Sequence, residues 1–383
     1  MAGRSERCSW CGIQLAVPPE ASAIRCAVCF GTTQVRPNDP FIQAQNSFSH
    51  VTSRFRDFMN TFMEASVNSN PRMGASEYGY YTQPPRPRSS LMPPSVHGKK
   101  RAVLCGIRYH GQSYRLKGSV NDVKSMRFFL INKMGFPSDS IVMLTDNKEE
   151  RNPLMIPTKY NIQTALRWLI QGCQSGDSLV FHYSGHGSRE LDDNMDELDG
   201  YDEALCPVDY ETNGKIIDDE INDTIVKPLP RGAKLHAIID ACHSGTVLDL
   251  PFVCKMNPNG NYSWQDQRYS PAINKGTSGG LAISISACAD DQISVDTTAL
   301  SGKTVTGALT YSLIQTAQNE PGLTYGRLLN AMRRRIREAK TGIVGFHGPI
   351  SSLFNRMIGV EITQEPQLSS SEKFEIYSKQ FAM

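Results

Sequence analysis

From residue 99 onward, short apolar runs alternate with longer stretches in which apolar positions recur every three or four residues. RAVLCGIRY (101–109), SIVMLTD (140–146), DSLVFHYSG (177–185), KLHAIIDA (234–241) and LAISISAC (281–288) each read as a strand buried on both faces. Between them, Val123, Met126, Phe129, Leu130 and Met134 share one face of a helix predicted over 120–134 and stopped at Gly135. Ile162, Ala165, Leu166 and Leu169 form the stripe of a second helix over 159–172, with Thr158 as its N-cap. Two more helical patterns cover 306–319 and 324–340. This alternation predicts an α/β fold, a three-layer sandwich whose mostly parallel sheet is flanked by helices. In open sheets of this kind, ligands bind beyond the carboxyl ends of the strands, which directs attention to the residues after Tyr183 and Ile239.

Before residue 99 the pattern is different. Residues 1–35 form a small cysteine-bearing unit, and 36–98 show little periodicity and end in QPPRPRSSLMPPS (83–95). Prolines favour extended polyproline geometry, so 36–98 reads as a proline-rich flexible linker. Within it, Phe55, Phe58, Met59 and Phe62 line one side of a short helical pattern (53–65) that suits a partner, the body of the protein, or only transient order. No internal repeat is visible.

The chain has 383 residues, 39% hydrophobic and 20% charged, which excludes a fully disordered, collagen-like or coiled-coil protein. No apolar run is long enough for a transmembrane helix, and the N-terminus lacks the apolar core of a signal peptide. The expected location is cytoplasmic, with the nucleus as a second compartment, and no membrane partner is expected. Thiols stay reduced there, so the ten cysteines call for an explanation other than disulfides. The net charge of +2 conceals an asymmetry, because residues 1–100 carry 11 basic against 6 acidic residues and the remainder 29 against 32. The stretch 190–223 holds 14 acids and one base, Lys215, which suits a hard cation, a basic substrate or a solvated loop. The mildly basic head is weak support for nucleic acid, and none is expected as a partner.

CSWC (Cys8, Cys11) and CAVC (Cys26, Cys29) place two thiolate pairs 14 residues apart. Two such turns complete a tetrahedron around Zn²⁺, and metal binding would supply folding free energy that so small a segment lacks. The stretch resembles the LSD1-type zinc finger of plant proteins, with Gly12 where that family usually carries arginine. Such a module suggests protein partners and no chemistry of its own.

HYSGHGS (182–188) and DACHSG (240–245) each end a buried strand in a turn of small residues. A cysteine nucleophile needs a base within hydrogen-bond reach and N–H donors for the oxyanion. His186 and Cys242 satisfy the first requirement, and the backbone N–H groups of Gly187 and Cys242 are candidates for the second. His110, His236, His243 and His347, and Cys105, Cys173, Cys206 and Cys288, read as structural or exposed.

These motifs, together with DGYDE (199–203), IIDDE (216–220) and ISAC (285–288), resemble those of metacaspases, relatives of caspases among the clan CD cysteine peptidases. With the finger and the proline linker, the chain resembles a plant type I metacaspase. The resemblance implies a caspase-like peptidase domain over 99–383, with a large-subunit region at 99–254, a linker at 255–280 and a small-subunit region at 281–383. It implies Cys242 as nucleophile and His186 as general base, in a zymogen that cleaves substrates after Arg or Lys. It assigns the substrate pocket to Asp122, Ser184 and Asp240. A carboxylate at Asp240, two residues before the nucleophile, suits a cationic side chain, and a guanidinium matches it best. Asp122 by itself reads first as a helix N-terminal acid, and only the resemblance makes it a pocket residue. The resemblance further implies activating Ca²⁺ held by Asp202, Asp218, Asp219 and Asp249, which no EF-hand spacing would reveal. Self-processing would fall in an exposed loop at Lys275, Arg268 or Lys255. The family suggests a monomer acting in plant cell death or stress responses. Two competing readings are an interaction protein that regulates cell death through its finger, and an asparagine-specific relative on the same fold, which Asp240 disfavours.

Overall fold

The computed structural model describes residues 4–8, 13–17, 23–29, 31–34, 99–147, 150–192, 197, 200–242, 244–257, 259–270, 274–287, 296–297, 306–344 and 365–383. The linker 36–98 with its 53–65 pattern, and Cys11, His243, Cys288 and His347, lie outside these residues.

The apolar runs pair into an eight-stranded sheet of β1 (Lys100–Gly106), β2 (Ile141–Thr145), β3 (Ser178–Ser184), β4 (Lys234–Asp240), β5 (Phe252–Met256), β6 (Tyr262–Asp266), β7 (Leu281–Ser286) and β8 (Gln367–Ser370). Their spatial order is β6-β5-β8-β7-β4-β3-β1-β2. The five strands from β7 to β2 run parallel, while β8, β5 and β6 are added antiparallel. Parallel neighbours need crossover connections, which the helical patterns supply. The long helices are α1 (Ser119–Asn132), α2 (Lys159–Ile170), α3 (Ala308–Asn319) and α4 (Tyr325–Val344). Thr158 caps α2 as expected, accepting from Asn161 N at 3.2 Å.

Side-chain alternation along each strand builds two cores. Val103 and Cys105 of β1, Leu179 and Phe181 of β3, and Leu235 and Ala237 of β4 face α2, meeting Ile162, Ala165 and Leu169. The other face carries Ala102, Leu104, Val180 and Ile238, covered by Phe129 of α1, Leu313 of α3 and Leu328 of α4. The body from residue 99 onward is therefore the expected three-layer sandwich. One expectation fails: the segment 255–280 is no simple linker, because part of β5 and all of β6 lie within it. β6 lies at the sheet edge with Ser263, Gln265 and Asp266 exposed, so its composition resembles that of a loop.

Two histidines are buried in this frame. His182 Nδ1 lies 2.9 Å from the Ile238 carbonyl, and His236 Nε2 lies 2.6 Å from the Tyr325 hydroxyl. Burial lowers their pKa values to about 4 and about 3 respectively. Both are neutral in the fold, whereas in the unfolded chain they protonate near 6.5. The stability they contribute is full above pH 6.5 and is lost as pH falls toward the folded values. A His236→Gln variant should lose about 2 kcal/mol less stability than the unaltered chain between pH 6.5 and 4.5, at about 1.4 kcal/mol per pKa unit. Thermal melts across that range check this, and parallel curves would refute it.

At the N-terminal end, two short hairpins, Arg4–Arg7 with Gln14–Val17 and Ala23–Arg25 with Thr32–Gln34, form the cysteine unit. Leu15, Val28 and the buried cysteines pack on Phe128 of α1, and Ser125 Oγ donates to the Val28 carbonyl at 3.3 Å. No helix among the described residues is long and apolar enough to cross a membrane.

Candidate active site and metal sites

Strands β3 and β4 are parallel neighbours in a register that sets Asp240 opposite Ser184. His186 and Cys242 each follow two residues later, so the two side chains leave the sheet at the same level on adjacent strand ends. The loops meet closely: a Cβ on Gly187 would stand 1.9 Å from the Cys242 carbonyl oxygen, so only glycine permits this approach. Cys242 is half-buried. Its loop is braced from two sides. Ser244 Oγ donates to the Ala241 carbonyl at 2.9 Å, and from β8 Gln367 Nε2 and Ser369 Oγ donate to the Gly245 carbonyl at 2.9 and 3.1 Å.

The ring of His186 is oriented by a group that carries no side-chain signature. Its Nε2 lies 2.7 Å from the Tyr114 carbonyl, which can only accept, so Nε2 carries the proton and Nδ1 is left as the basic nitrogen. The His186 backbone N–H donates to the Tyr109 hydroxyl at 2.8 Å, and that hydroxyl donates to the Cys206 carbonyl at 2.6 Å. The Tyr183 hydroxyl contacts the His186 and Cys206 carbonyls at 3.0 and 2.8 Å. Tyr109 adopts a left-handed φ of 52°, a conformation uncommon outside glycine and often found where a site over-determines the backbone. The expected strand 101–109 ends at Gly106, and Tyr109 belongs to the turn that cradles His186.

The three residues expected in a substrate pocket come together beside this pair. Asp122 and Asp240 are 1% and 4% exposed. Ser184 Oγ donates to Asp122 at 2.8 Å, and the backbone N–H of Gly307 donates to both Asp122 oxygens at 2.9 and 3.1 Å. Asp240 Oδ2 accepts from the N–H and the hydroxyl of Thr310 at 2.9 and 2.8 Å. The first turn of α3 thus spends its unpaired N–H groups on both carboxylates, holding them without neutralising them. A Cβ on Gly307 would lie 2.1 Å from Asp240 Oδ2 and 2.9 Å from Asp122 Oδ2, so the two acids converge on one point. Two buried carboxylates this close repel, and a cation entering between them relieves both.

Elsewhere in the domain, Glu197, Asp202 and Asp218 bring ligand oxygens within 4.8 Å of one another. Glu203 N donates to Asp218 Oδ2 at 3.1 Å, and the Glu203 carboxylate accepts from the Thr246 hydroxyl. Burial, then the nearby Glu203, Asp249, Glu197 and Asp202, push the Asp218 carboxyl well above its ordinary range. A dense, acid-rich oxygen set in this position fits a hard cation such as Ca²⁺. The grouping departs from the expected set at two places: Glu197 stands with Asp202 and Asp218, and neither Asp219 nor Asp249 does. Asp219 instead follows Asp218 at the start of the short helix Asp218–Ile221, its N–H bonded to Asp218 Oδ1 at 3.0 Å. Asp249 has a φ of 48° and joins the set through Lys275.

The N-terminal thiols also converge. Cys8, Cys26 and Cys29 place their sulfurs within 4.8 Å of one another, with Cys8 and Cys29 3.4 Å apart, and Cys11 lies outside the described residues. Val28 N donates to Cys26 Sγ at 3.4 Å and Thr33 Oγ1 to Cys8 Sγ at 3.6 Å, contacts that stabilise thiolates around a metal. The donor set fits zinc.

The three expected self-cleavage positions lie in unlike places. Lys255 is exposed on β5 between two partner strands, and Arg268 pairs with Asp266 at 2.6 Å in the exposed turn that follows β6. Lys275 does not sit in an exposed loop: it is 2% exposed because Asp249 and Glu197 hold its ammonium at 2.6 and 2.7 Å. Sequence reasoning missed Tyr109, Tyr114, Tyr183, Gly307, Thr310 and Glu197. Of these, only Glu197 carried a signal, its place in the acidic block.

Comparison with known proteins shows the family. The profile of the family described as "Metacaspase, peptidase C14 domain" matches residues 100–251, and that of the LSD1 zinc finger matches residues 8–30. The chain is 47% identical to Metacaspase-1 of Arabidopsis thaliana over 98% of its own length and 95% of that protein's. It is 47% identical to Metacaspase-3 of the same plant over the whole of both chains, and 39% identical to Metacaspase-1 of Yarrowia lipolytica over 63% of its length and 59% of that protein's.

Proposed function

The chain belongs to the metacaspase family of cysteine-type peptidases and carries an LSD1-type zinc finger, and from this premise we propose that it is a calcium-dependent endopeptidase cleaving after Arg or Lys. The convergence of Asp122 and Asp240 beside the Cys242–His186 pair carries the reading of specificity. In the proposed mechanism, His186 Nδ1 takes the thiol proton of Cys242, and the thiolate attacks the carbonyl carbon of the residue whose cationic side chain enters the pocket. The N–H groups of Gly187 and Cys242 receive the oxyanion. His186 returns the proton to the leaving amine, and water activated by the same imidazole hydrolyses the acyl-enzyme.

Asp202, Asp218, Asp249 and Glu197 would hold Ca²⁺, with Asp219 adjoining them. When bound, the ion supplies positive charge that this acidic set lacks. The Thr246–Glu203 contact links the cluster to the loop after Cys242. Asp218→Ala with Asp219→Ala should abolish activation by calcium, and equal activity in calcium and in chelator would sink that part of the proposal. The zymogen would process itself within 255–280, and its biological setting would be cytoplasmic protein turnover in plant cell death or stress.

The deciding experiment uses fluorogenic peptides ending in Arg, Lys, Asn and Asp, with and without calcium, on the unaltered chain and on Cys242→Ala. Mass spectrometry of the same samples identifies any cleavage that depends on Cys242. Cleavage after Asn or Asp in preference to Arg and Lys would overturn the assignment.

A further inference from the structure

Lys275 is the cation that the acidic cluster already holds. Its side chain is almost completely buried, with Nζ 2.6 Å from Asp249 Oδ1 and 2.7 Å from Glu197 Oε1. Glu197 is the same carboxylate that stands within 4.8 Å of Asp202 and Asp218. The ammonium therefore sits at the edge of the oxygen set, sharing Glu197 with it and adding Asp249 beside it. The backbone nearby is held by Asn222, whose Nδ2 donates to the Leu248 and Asp249 carbonyls at 2.9 Å each and to the Lys275 carbonyl at 3.4 Å. One side chain thus ties the loop after the nucleophile to the segment carrying Lys275. Glu197, Asp202, Glu203, Asp218 and Asp249 together bring five carboxylates, faced by Lys275 and by Arg189, whose Nε is 3.8 Å from Glu203.

We propose that Lys275 is the built-in occupant of the cation site, so that its ammonium and Ca²⁺ compete for Asp249 and Glu197. This inference rests on reading the cluster as a calcium site and adds Glu197 to its ligands. Ca²⁺ takes six to eight oxygens at about 2.3–2.6 Å. An Asp249 or Glu197 oxygen bridging to Nζ would put the ammonium and the metal within a few ångströms of each other, where like charges repel strongly in a poorly solvated site. Loading the cation expels Lys275. The side chain then leaves its burial, and the Lys275–Gly276 bond becomes accessible to an external peptidase. Calcium binding and release of the segment after β6 are, in this account, one event.

The test uses the full chain carrying Cys242→Ala, so that self-cleavage cannot consume the sample. Calcium affinity is measured by titration calorimetry in this background, with Lys275→Met added, with Lys275→Arg added and with Asp218→Asn added. In parallel, brief trypsin digestion with and without calcium is read by mass spectrometry for the cut after Lys275. Loss of the competitor should tighten calcium binding about tenfold in Lys275→Met, while Lys275→Arg keeps the original affinity. Trypsin should cut after Lys275 only in calcium.

Equal affinity in Lys275→Met and the background, or a Lys275 that stays protected in saturating calcium, overturns the competition while leaving the calcium site standing. No calcium binding in the background, or binding unaffected by Asp218→Asn, overturns the site and the competition together. Should Lys275→Met fail to fold, the tryptic readout on the Cys242→Ala chain decides alone.

Discussion

Replacing Cys242 by alanine should reduce kcat/KM for Arg- and Lys-ending peptides at least about 10³-fold, to background. Among the described residues at this strand end Cys242 is the group placed to form the acyl-enzyme, and the hydrogen bonds that brace its loop run through Ser244 and Gly245, which alanine leaves in place. His186→Ala should cost about as much, because the Tyr114 carbonyl fixes its tautomer and leaves only Nδ1 to take the thiol proton. The double variant should be no worse than the poorer single one, as expected of residues that act as a unit. Alkylation by iodoacetamide separates the two roles. His186→Ala should slow modification of Cys242 at neutral pH by lowering the thiolate fraction, whereas a merely structural histidine would leave that rate unchanged. More than a tenth of the original activity in Cys242→Ala would exclude it as the nucleophile.

The sequence is most legible where residue type and strand pattern coincide. β1, β3, β4 and β7 are apolar on both faces, and the carboxyl ends of β3 and β4 lead into His186, between two glycines, and Cys242, three residues before Gly245, so strand pattern and residue type single out the same two positions. β6 and β8 could not be placed. β6 wets alternate residues at an edge, and β8 buries the polar run Gln367–Ser370, which reads as neither strand nor core. Tyr114 acts through its backbone carbonyl, which any residue would supply. Thr310 and Gly307 come from 70 and 185 residues away to meet Asp240 and Asp122, a closure that only the fold determines. The small and polar neighbours of Lys275 read as an exposed loop, a pattern that misleads where a lysine is the counter-ion of buried acids.

Asp240→Asn should lower kcat/KM for Arg-ending peptides by about 10²-fold, near 3 kcal/mol, the usual cost of removing one member of a buried charge pair. The substitution is isosteric. Its amide oxygen can still accept from the Thr310 N–H and hydroxyl that now bond Asp240 Oδ2, so the wall of the pocket stays in place. What is lost is charge. Arg-ending peptides should lose more than Lys-ending ones, because the guanidinium fork uses both carboxylate oxygens. The nucleophile is untouched, so iodoacetamide should modify Cys242 at the original rate. Stability should move the other way. Asp122 and Asp240 converge on Gly307 in a buried space, and removing one of two repelling charges should leave Tm unchanged or raise it. A variant that is as stable as the unaltered chain, as alkylatable and far less active identifies Asp240 as the group that receives the substrate's cation. A loss of less than about threefold on both Arg and Lys peptides would assign that role elsewhere, and a matching fall in Tm would mark Asp240 as a structural acid.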